Sequence, residues 1–449
     1  MRPNLLKYLD QRVPRYTSYP TAVQFGSDVS ARSYESWLVV LPPDEPVSIY
    51  IHVPFCAELC LYCGCHTTVV RRYAPILSCV ELLERELDLV GGLTGRRKVN
   101  QLHWGGGTPT MLMPHDFMRV MTAVRKNFSV ALQAELSIEI DPRTLTRGHV
   151  AALREAGIAR ASLGVQDFDA GVQQAVRREQ SFEQTARAAD WLRSGGVKSI
   201  NLDLMYGLPY QTVASVTATA QRALLLDPER IALFGYAHVP WMKRHQKLIP
   251  EQALPATTGE RYAQSRAVAE MLTAAGYRPI GLDHFARGDD LLAIRQREGR
   301  LRRNFQGYTT DESSILLGFG VSAIGALPDG YVQNAAAMTA YREAINGGHL
   351  ATARGRALTA EDRLRRDIIE RLMCDLHMDL DRICEAHGRT ADDLAPELFQ
   401  LDELARDRVV QRAGGKIIVP ESKRSFIRTV CAQFDAYLSN DAMRYSRAS

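Results

Sequence analysis

The sequence predicts an α/β protein: a parallel sheet covered by helices, followed by a smaller, mainly helical domain. Two patterns carry the fold. From about residue 47, apolar strand-like runs alternate with amphipathic helical stretches, and alternation at this spacing builds βα units on a parallel sheet. After about residue 355 the strand signal fades and helical periodicity takes over. A third observation places the chemistry. Cys56, Cys60, Cys63 and Cys65 all fall in "PFCAELCLYCGC", directly behind the first strand, in a chain with 8 cysteines.

Residues 1–46 are an N-terminal segment. Its "PRYTSYPT" carries two tyrosines and two prolines, an extended stretch expected to lie over the sheet as a lid. The strands follow as "VSIYIHV" (47–53), "VNQLHWG" (99–105), "AELSIEI" (134–140), "RASLGVQ" (160–166), "SINLDLMYG" (199–207) and "RIALFGYAH" (230–238). Between them lie "CVELLERELDLV" (79–90), "DFMRVMTAVRKNF" (116–128), "FEQTARAADWLRSGG" (182–196) and "SVTATAQRALLL" (215–226), whose apolar positions recur at three and four. "TGERYAQSRAVAEMLTAAGY" adds a helix and "RPIGLDHFA" a further strand. Periodicity leaves open a full barrel, an incomplete barrel or an open doubly wound sheet. The catalytic region is expected over 47–355. Residues 356–449 read as helices, with "AGGKIIVPESKRSFIRTVCAQFDAYL" as a hairpin edge before a last helix, a winged-helix-like arrangement.

Composition sets bounds. With 46% apolar and 24% charged residues, the chain has the profile of a soluble globular protein. No apolar run of about eighteen residues is present, so no membrane span is expected. The N-terminus lacks an apolar signal core, which predicts a cytoplasmic protein, where thiols serve metals or catalysis more than disulfides. The net charge of +4 is dispersed; it does not argue for nucleic acid, but it allows a local basic pocket for an acidic small molecule. Nothing resembles a coiled coil, and a monomer is expected.

The cysteine spacing is C-x3-C-x2-C, with Cys65 two positions beyond. Structural zinc takes paired C-x2-C units, and no second pair follows; Cys79, Cys374, Cys384 and Cys431 sit alone on apolar helical stretches, as small core residues do. Three close thiolates on one loop suit an iron–sulfur cluster with one iron left open, zinc being the alternative. Near this loop, Gly105, Gly106 and Gly107 in "HWGGGTPT" would let a ligand approach the backbone. Glu139 and Asp141 share a face at the end of the third strand, and Tyr50 and His52 share one on the first.

C-x3-C-x2-C with Tyr62 before the third cysteine is the signature of the radical S-adenosylmethionine enzymes. The ordered set "PRYTSYPTA", "YIHVPFC", "CGC", "LHWGGGTPT", "SIEIDPR", "LGVQDF", "NLDLMYGLP", "DHFAR" and "NFQGYTT", with "RRDIIERLMC" beyond, resembles the oxygen-independent coproporphyrinogen III oxidases, also called dehydrogenases, over nearly the whole chain. The resemblance implies an incomplete (β/α)6-type, TIM-like barrel. It implies that Cys56, Cys60 and Cys63 hold a [4Fe–4S] cluster. It implies that Tyr50, Tyr62, Gly106, Gly107, Thr108, Glu139, Gln166, Arg178, Asp203 and Ala237 surround S-adenosylmethionine, and that Gln306 and Ile324 match a place for a second molecule of it. Tyr50, Glu139 and the spare thiol of Cys65 are the implied catalytic residues.

The implied substrate is coproporphyrinogen III, a tetrapyrrole with four propionates, whose carboxylates would suit the guanidinium forks of Arg15, Arg302 and Arg303. An unidentified one-electron donor protein is the implied partner. Two other readings in the same superfamily are a haem-binding carrier and a radical methyltransferase or haem-degrading enzyme. Cys65 and "PRYTSYPT" favour the oxidase over the carrier.

Overall fold

The computed structural model describes residues 5–438 and 445–448. Strands β1 (Val47–Val53), β2 (Lys98–Gly106), β3 (Ser129–Ile140), β4 (Arg160–Gln166), β5 (Ser199–Tyr206) and β6 (Arg230–Gly235) lie side by side in chain order, all parallel. Helices Ala74–Thr94, Pro114–Asn127, Arg147–Ala156, Phe182–Ser194 and Val213–Leu224 make the crossovers. "RPIGLDHFA" forms not one strand but two short antiparallel ones, β7 (Arg278–Ile280) and β8 (His284–Ala286), with β8 on the free edge of β6. Beyond β1 the sheet continues through β9 (Ile315–Phe319), parallel to β1, and then β10 (Ile324–Leu327), β11 (Gly330–Asn334) and β12 (Thr352–Ala357), all antiparallel. The sequence reading did not place these four, although Asp329-Gly330, at the turn where β10 passes into β11, is a hairpin signal. The order is β12-β11-β10-β9-β1-β2-β3-β4-β5-β6-β8-β7; β12 does not pair with β7, so the barrel is incomplete.

The two faces of this sheet differ. On β1, Val47, Ile49, Ile51 and Val53 are at most 1% exposed and belong to the main core with Leu102 and Trp104 of β2, Ile138 of β3, Leu163 of β4 and Leu202 of β5. Strand alternation turns Ser48, Tyr50, His52, Gln101, His103, Glu135, Ser137, Glu139, Ser162, Asn201 and Asp203 to the other face. Strands of parallel sheets usually read as continuous apolar runs, and closed barrels fill their interiors with branched apolar side chains. Here the interior is polar. Its groups pair with one another: Arg160 with Glu135 at 2.6 Å, Arg230 with Asp290 at 2.8 Å, His103 with the Ser137 hydroxyl at 2.7 Å, and the Ser48 hydroxyl with Asp311.

After residue 359 come helix Ala360–Asp375, strand His377–Asp379, helices Leu380–Ala386 and Ala395–Arg406, and strands Gln411–Ala413 and Lys416–Ile418. Helix, strand, two helices and two strands is the order of a winged helix, and the three strands form one small antiparallel sheet. The apolar core here also takes in Leu5, Tyr8, Leu9, Tyr16 and Tyr19. The N-terminal segment is therefore not an extended lid throughout. Its described part holds helices Leu6–Leu9 and Ala31–Val39, and the tyrosines of "PRYTSYPT" are buried; residues 1–4 lie outside the described residues. Tyr16 donates to Asp435 at 3.0 Å, and the buried Arg428 donates to the carbonyls of Val13, Pro14, Arg447 and Ala448.

Arg428→Ala leaves these carbonyls without their donor. We expect a loss of about 1–3 kcal/mol in urea unfolding, with faster proteolysis in residues 5–30. Wild-type stability and an unchanged cleavage pattern would show that the segment is held by its apolar contacts alone.

Candidate active site at the cysteine loop

The loop starts where β1 ends. Phe55–Cys56 pairs with Thr68–Val69, which draws residues 54–70 into a closed loop at the C-terminal edge of the sheet. Cys56, half-buried, accepts a hydrogen bond from the Thr67 hydroxyl at 3.1 Å, and the Thr108 hydroxyl lies 3.6 Å from its sulfur. Cys60 is buried; the Arg178 guanidinium reaches its sulfur at 3.6 Å and that of Arg143 at 3.9 Å. Cys63 accepts from the backbone N–H of Cys65 at 3.4 Å. Hydrogen bonds from the Cys65 side chain and N–H draw the Cys63 thiol down to about 6, and the same contact with Cys63, with burial, pushes the Cys65 thiol up. Cys65 itself is exposed. The Thr67 and Thr108 hydroxyls favour the Cys56 thiolate, but burial outweighs them and leaves that thiol raised, so of this loop Cys63 is the one drawn down. Among the described residues no three Cys, His, Asp or Glu side chains converge on a point that would hold a single metal ion. Three thiols on one loop are the donor set that an iron–sulfur cluster takes, and Cys56, Cys60 and Cys63 would hold it. The other four cysteines are buried, as core residues.

The glycine run closes this end of the site, by approach of protein and not of ligand alone. Gly106 has φ +113°, and a Cβ there would stand 2.8 Å from the His52 ring; a Cβ on Gly107 would stand 2.6 Å from the Phe55 carbonyl oxygen and the Thr67 hydroxyl. Gly107 donates to Val53 at 2.8 Å, tying β2 to the root of the loop. The Gly106 N–H donates to Glu139 at 3.2 Å, and His103 lies 3.4 Å from the same carboxylate. Burial pushes Glu139 up, but His103 and the Gly106 N–H outweigh it and hold the carboxyl below the usual range. Tyr50 stacks on His103, with ring centroids 6.0 Å apart, and its hydroxyl lies 3.0 Å from His52 Nδ1. His52 Nε2 lies 3.0 Å from the His66 carbonyl, so Nε2 carries the proton and Nδ1 accepts from Tyr50. Burial lowers the His52 pKa and keeps the ring neutral.

On the opposite side, buried Arg178 bridges the carboxylate of Asp141 (3.1 Å), the Gly164 carbonyl (2.6 Å) and Cys60, with its Nε left without a partner. Gln166 ends β4 with φ +69°, a strained conformation for a side chain of this kind, and its amide lies beside Gly164 and Arg178. Asp203 accepts from Ser162 at 2.9 Å and Asn201 at 2.8 Å; burial, with the nearby Glu139 charge, pushes it up to about 6. Tyr62 packs with Leu61, Leu208 and Tyr236. Ala237 offers its carbonyl to Gln246 at 3.2 Å.

A second element holds the loop, and the sequence reading missed it. In the turn Arg244–Leu248, His245 donates to the Cys63 carbonyl at 2.8 Å and buried Gln246 to the Tyr62 carbonyl at 3.1 Å. Just before it, Lys243 donates to the Cys65 carbonyl at 3.0 Å. These residues have no periodic signal; they read as a polar loop. His103, Arg143 and Thr67 were missed for the same reason, since a polar residue near a strand end is common.

The other expected residues separate. Exposed Gln306 caps the hairpin turn between Arg302–Asn304 and Gly307–Thr309, while half-buried Ile324 packs with Phe305 against Phe25, Tyr331 and Leu358. Arg15 donates to the Gly235 carbonyl at the end of β6 at 2.7 Å. Arg303 donates to the carbonyls of Tyr16 (3.1 Å) and Arg15 (3.3 Å) and lies 4.2 Å over the Tyr308 ring. Arg302, its neighbour on one strand, points the other way and pairs with Glu370 at 3.3 Å, 45% exposed. Only Arg15 and Arg303 of the three line the cavity of about 790 Å³ that opens beside β6, together with Tyr206, Asp283 and Arg428.

Comparison with known proteins agrees with this geometry. The model of the radical SAM superfamily matches residues 50–223. Over 450 residues, covering 100% of both chains, the sequence is 50% identical to the oxygen-independent coproporphyrinogen III oxidase of Bradyrhizobium diazoefficiens. The chain belongs to the oxygen-independent coproporphyrinogen III oxidase family. The Paracoccus denitrificans member is 44% identical over 96% of this chain and 96% of its own. Among solved structures, the coproporphyrinogen III oxidase of Escherichia coli, a radical SAM enzyme, superposes with a TM-score of 0.90 at 40% identity, over 95% of this chain and 100% of that one. As a member of this family the chain uses a [4Fe–4S] cluster and S-adenosylmethionine. No helix among the described residues is long and apolar enough to cross a membrane.

Gly107→Ala puts a methyl group into contact with the Phe55 carbonyl. We expect the variant to fold but to take up less than about half the wild-type iron on anaerobic reconstitution, because the loop can no longer close on β2. Full iron content would show that the loop tolerates displacement of its root.

Proposed function

We propose that the chain converts two propionate side chains of coproporphyrinogen III to vinyl groups by oxidative decarboxylation without oxygen, giving protoporphyrinogen IX. The observation that carries this reading is a loop of three thiols, each with a hydrogen-bond donor at its sulfur, that opens onto a polar barrel interior, beside arginines at the mouth. When bound, the cluster and S-adenosylmethionine supply an electron and the 5′-deoxyadenosyl radical that removes a hydrogen atom from each propionate.

The protein's part is to bind, orient and protect. Cys56, Cys60 and Cys63 are the proposed ligands. Arg178, a fixed cation against Cys60, offsets the negative charge of three thiolates. Glu139, kept ionised, is placed to accept from an ammonium or hydroxyl group of S-adenosylmethionine; Asp203, Gln166, Thr108 and the Ala237 segment complete that wall. Neutral His52 is locked by Tyr50 and the His66 carbonyl, so Tyr50 is held as a rigid flat surface. Phe305, next to Gln306, and Ile324 both pack at the Phe25 cluster, which supports a second S-adenosylmethionine there.

Arg15 and Arg303, anchored through backbone carbonyls and not through carboxylates, keep their charge available for substrate propionates. Arg303→Gln is expected to raise KM for the tetrapyrrole about tenfold while Arg302→Gln changes it little, since one bidentate contact is worth about 1–3 kcal/mol. Equal KM values in the two variants would remove Arg303 from the substrate site.

The reading also takes the domains to divide near residues 46 and 355, the chain to act as a monomer in the cytoplasm, and a separate one-electron donor protein to serve it; its eight free cysteines suit a reducing compartment. Cys65, two positions from Cys63 and outside the proposed ligand set, is placed to position or donate hydrogen to a ligand. Single Cys56→Ser, Cys60→Ser and Cys63→Ser variants are expected to lose the cluster and all carbon dioxide release from coproporphyrinogen III. Cys65→Ser is expected to keep the cluster and lose most vinyl product. Iron content, the paramagnetic resonance of the reduced cluster and mass spectrometry of the product check this together. An intact cluster without carbon dioxide release in the wild type would favour the haem carrier or methyltransferase readings.

A further inference from the structure

The segment that holds the cysteine loop is also the most exposed apolar stretch beside it. In "WMKRHQKL" (241–248), Lys243, His245 and Gln246 turn inward to the carbonyls of Cys65, Cys63 and Tyr62. The residues between these anchors turn outward. Trp241 is 49% exposed, Met242 57% and Leu248 59%. Arg244 and Lys247 are exposed, and neither has an ion-pair partner among the described residues. Arg12 lies 5.1 Å over the Trp241 ring and adds a cation. From His238 to Pro250 the chain has no Asp or Glu. Of the other exposed large apolar residues, Val69 belongs to the cysteine loop itself, while Leu132 and Phe399 lie on the strand Ser129–Ile140 and the helix Ala395–Arg406, away from it.

An apolar patch rimmed by charge of one sign marks an interaction surface. Its sign selects an acidic partner, which a basic face attracts and orients before contact. Its small size suits the brief, weak encounters of electron carriers. Its place supplies the reason for such a partner: the route from this surface to a proposed cluster ligand is the His245 hydrogen bond and the bonds of one residue, Cys63. We propose that residues 241–248 are the docking surface for a low-potential one-electron carrier protein with an acidic face. One electron leaves the carrier, which is oxidised by one, and enters the cluster, which is reduced by one; no proton moves and no bond forms or breaks. The proposal rests on the reading that Cys56, Cys60 and Cys63 hold the cluster.

The test compares two reductants on the reconstituted full chain, following cluster bleaching by stopped flow. One is an acidic flavodoxin reduced to its hydroquinone; the other is dithionite, which needs no docking. With flavodoxin at low salt, R244E/K247E is expected to react about tenfold more slowly than wild type, Trp241→Ala also more slowly, and the wild-type rate is expected to fall as salt rises. With dithionite all three proteins are expected to react alike. Both side-chain sets are exposed and outside the loop's hydrogen bonds, so the fold is retained. Wild-type flavodoxin rates in both variants overturn the docking surface. Binding of wild type, but not of R244E/K247E, to anionic phosphatidylserine vesicles, with flavodoxin rates unchanged, gives the patch to a membrane surface and likewise overturns it. Failure of dithionite to bleach the wild type overturns the cluster reading itself, an outcome distinct from a failure of docking.

Discussion

A parallel sheet with one apolar face and one polar face must bury the first and supply partners to the second. Every strand from β1 to β5 alternates in this way, and the rest of the molecule follows from it. The apolar side, from Ile49 and Ile51 through Trp104 to Leu202, takes the crossover helices and forms the main core. The polar side cannot be filled with branched apolar residues. Unpaired buried polar groups cost more than their pairing contributes, so near the base they pair with each other, as Arg160 does with Glu135 and Arg230 with Asp290. Toward the C-terminal edge the sheet still supplies partners to Glu139 and Asp203, while the thiols and Arg178 come from the loops that follow the strands. There Glu139, Asp203, Arg178 and the thiols line a wall with capacity for a polar ligand.

The incomplete closure of the barrel belongs to the same constraint. A closed eight-stranded barrel leaves little more room than its own side chains fill. Twelve strands whose edges do not pair leave the polar face open on one side. The N-terminal segment and the C-terminal helices then build the mouth together. Arg428 holds the segment by its carbonyls, which leaves Arg15 free to cross to β6 and Arg303 to lie over Tyr308. Arginines anchored to carbonyls keep their charge, whereas Arg302, paired with Glu370, has spent its charge on the fold.

The cysteine loop has two supports of different kinds. On the sheet side, Gly106 and Gly107 let β2 press against His52 and the root of the loop, where any side chain would collide. On the outer side, Lys243, His245 and Gln246 hold its carbonyls. The first support is steric and rigid. The second is polar and lies at the surface, so whatever approaches residues 241–248 approaches the loop itself.

The local pattern by itself determined the six parallel strands, four of their five crossover helices (not Arg147–Ala156) and the cysteine loop at the end of the first strand. Strand alternation and thiol spacing are short-range properties that survive without a fold, and the ordered motifs named the family. The same pattern could not show that "RPIGLDHFA" folds back as a hairpin, or that β9 to β12 extend the sheet past β1, since short edge strands are decided by which neighbours are free. Nor could it show that the tyrosines of "PRYTSYPT" are buried, or separate Arg303 from Arg302, which differ only in the face each turns. The tertiary structure alone brought Arg178 to Cys60 across 118 residues and His245 to Cys63 across 182. Such contacts join positions whose local sequences carry no trace of each other, because a single polar side chain has no periodicity and its partner is chosen only when the chain has closed.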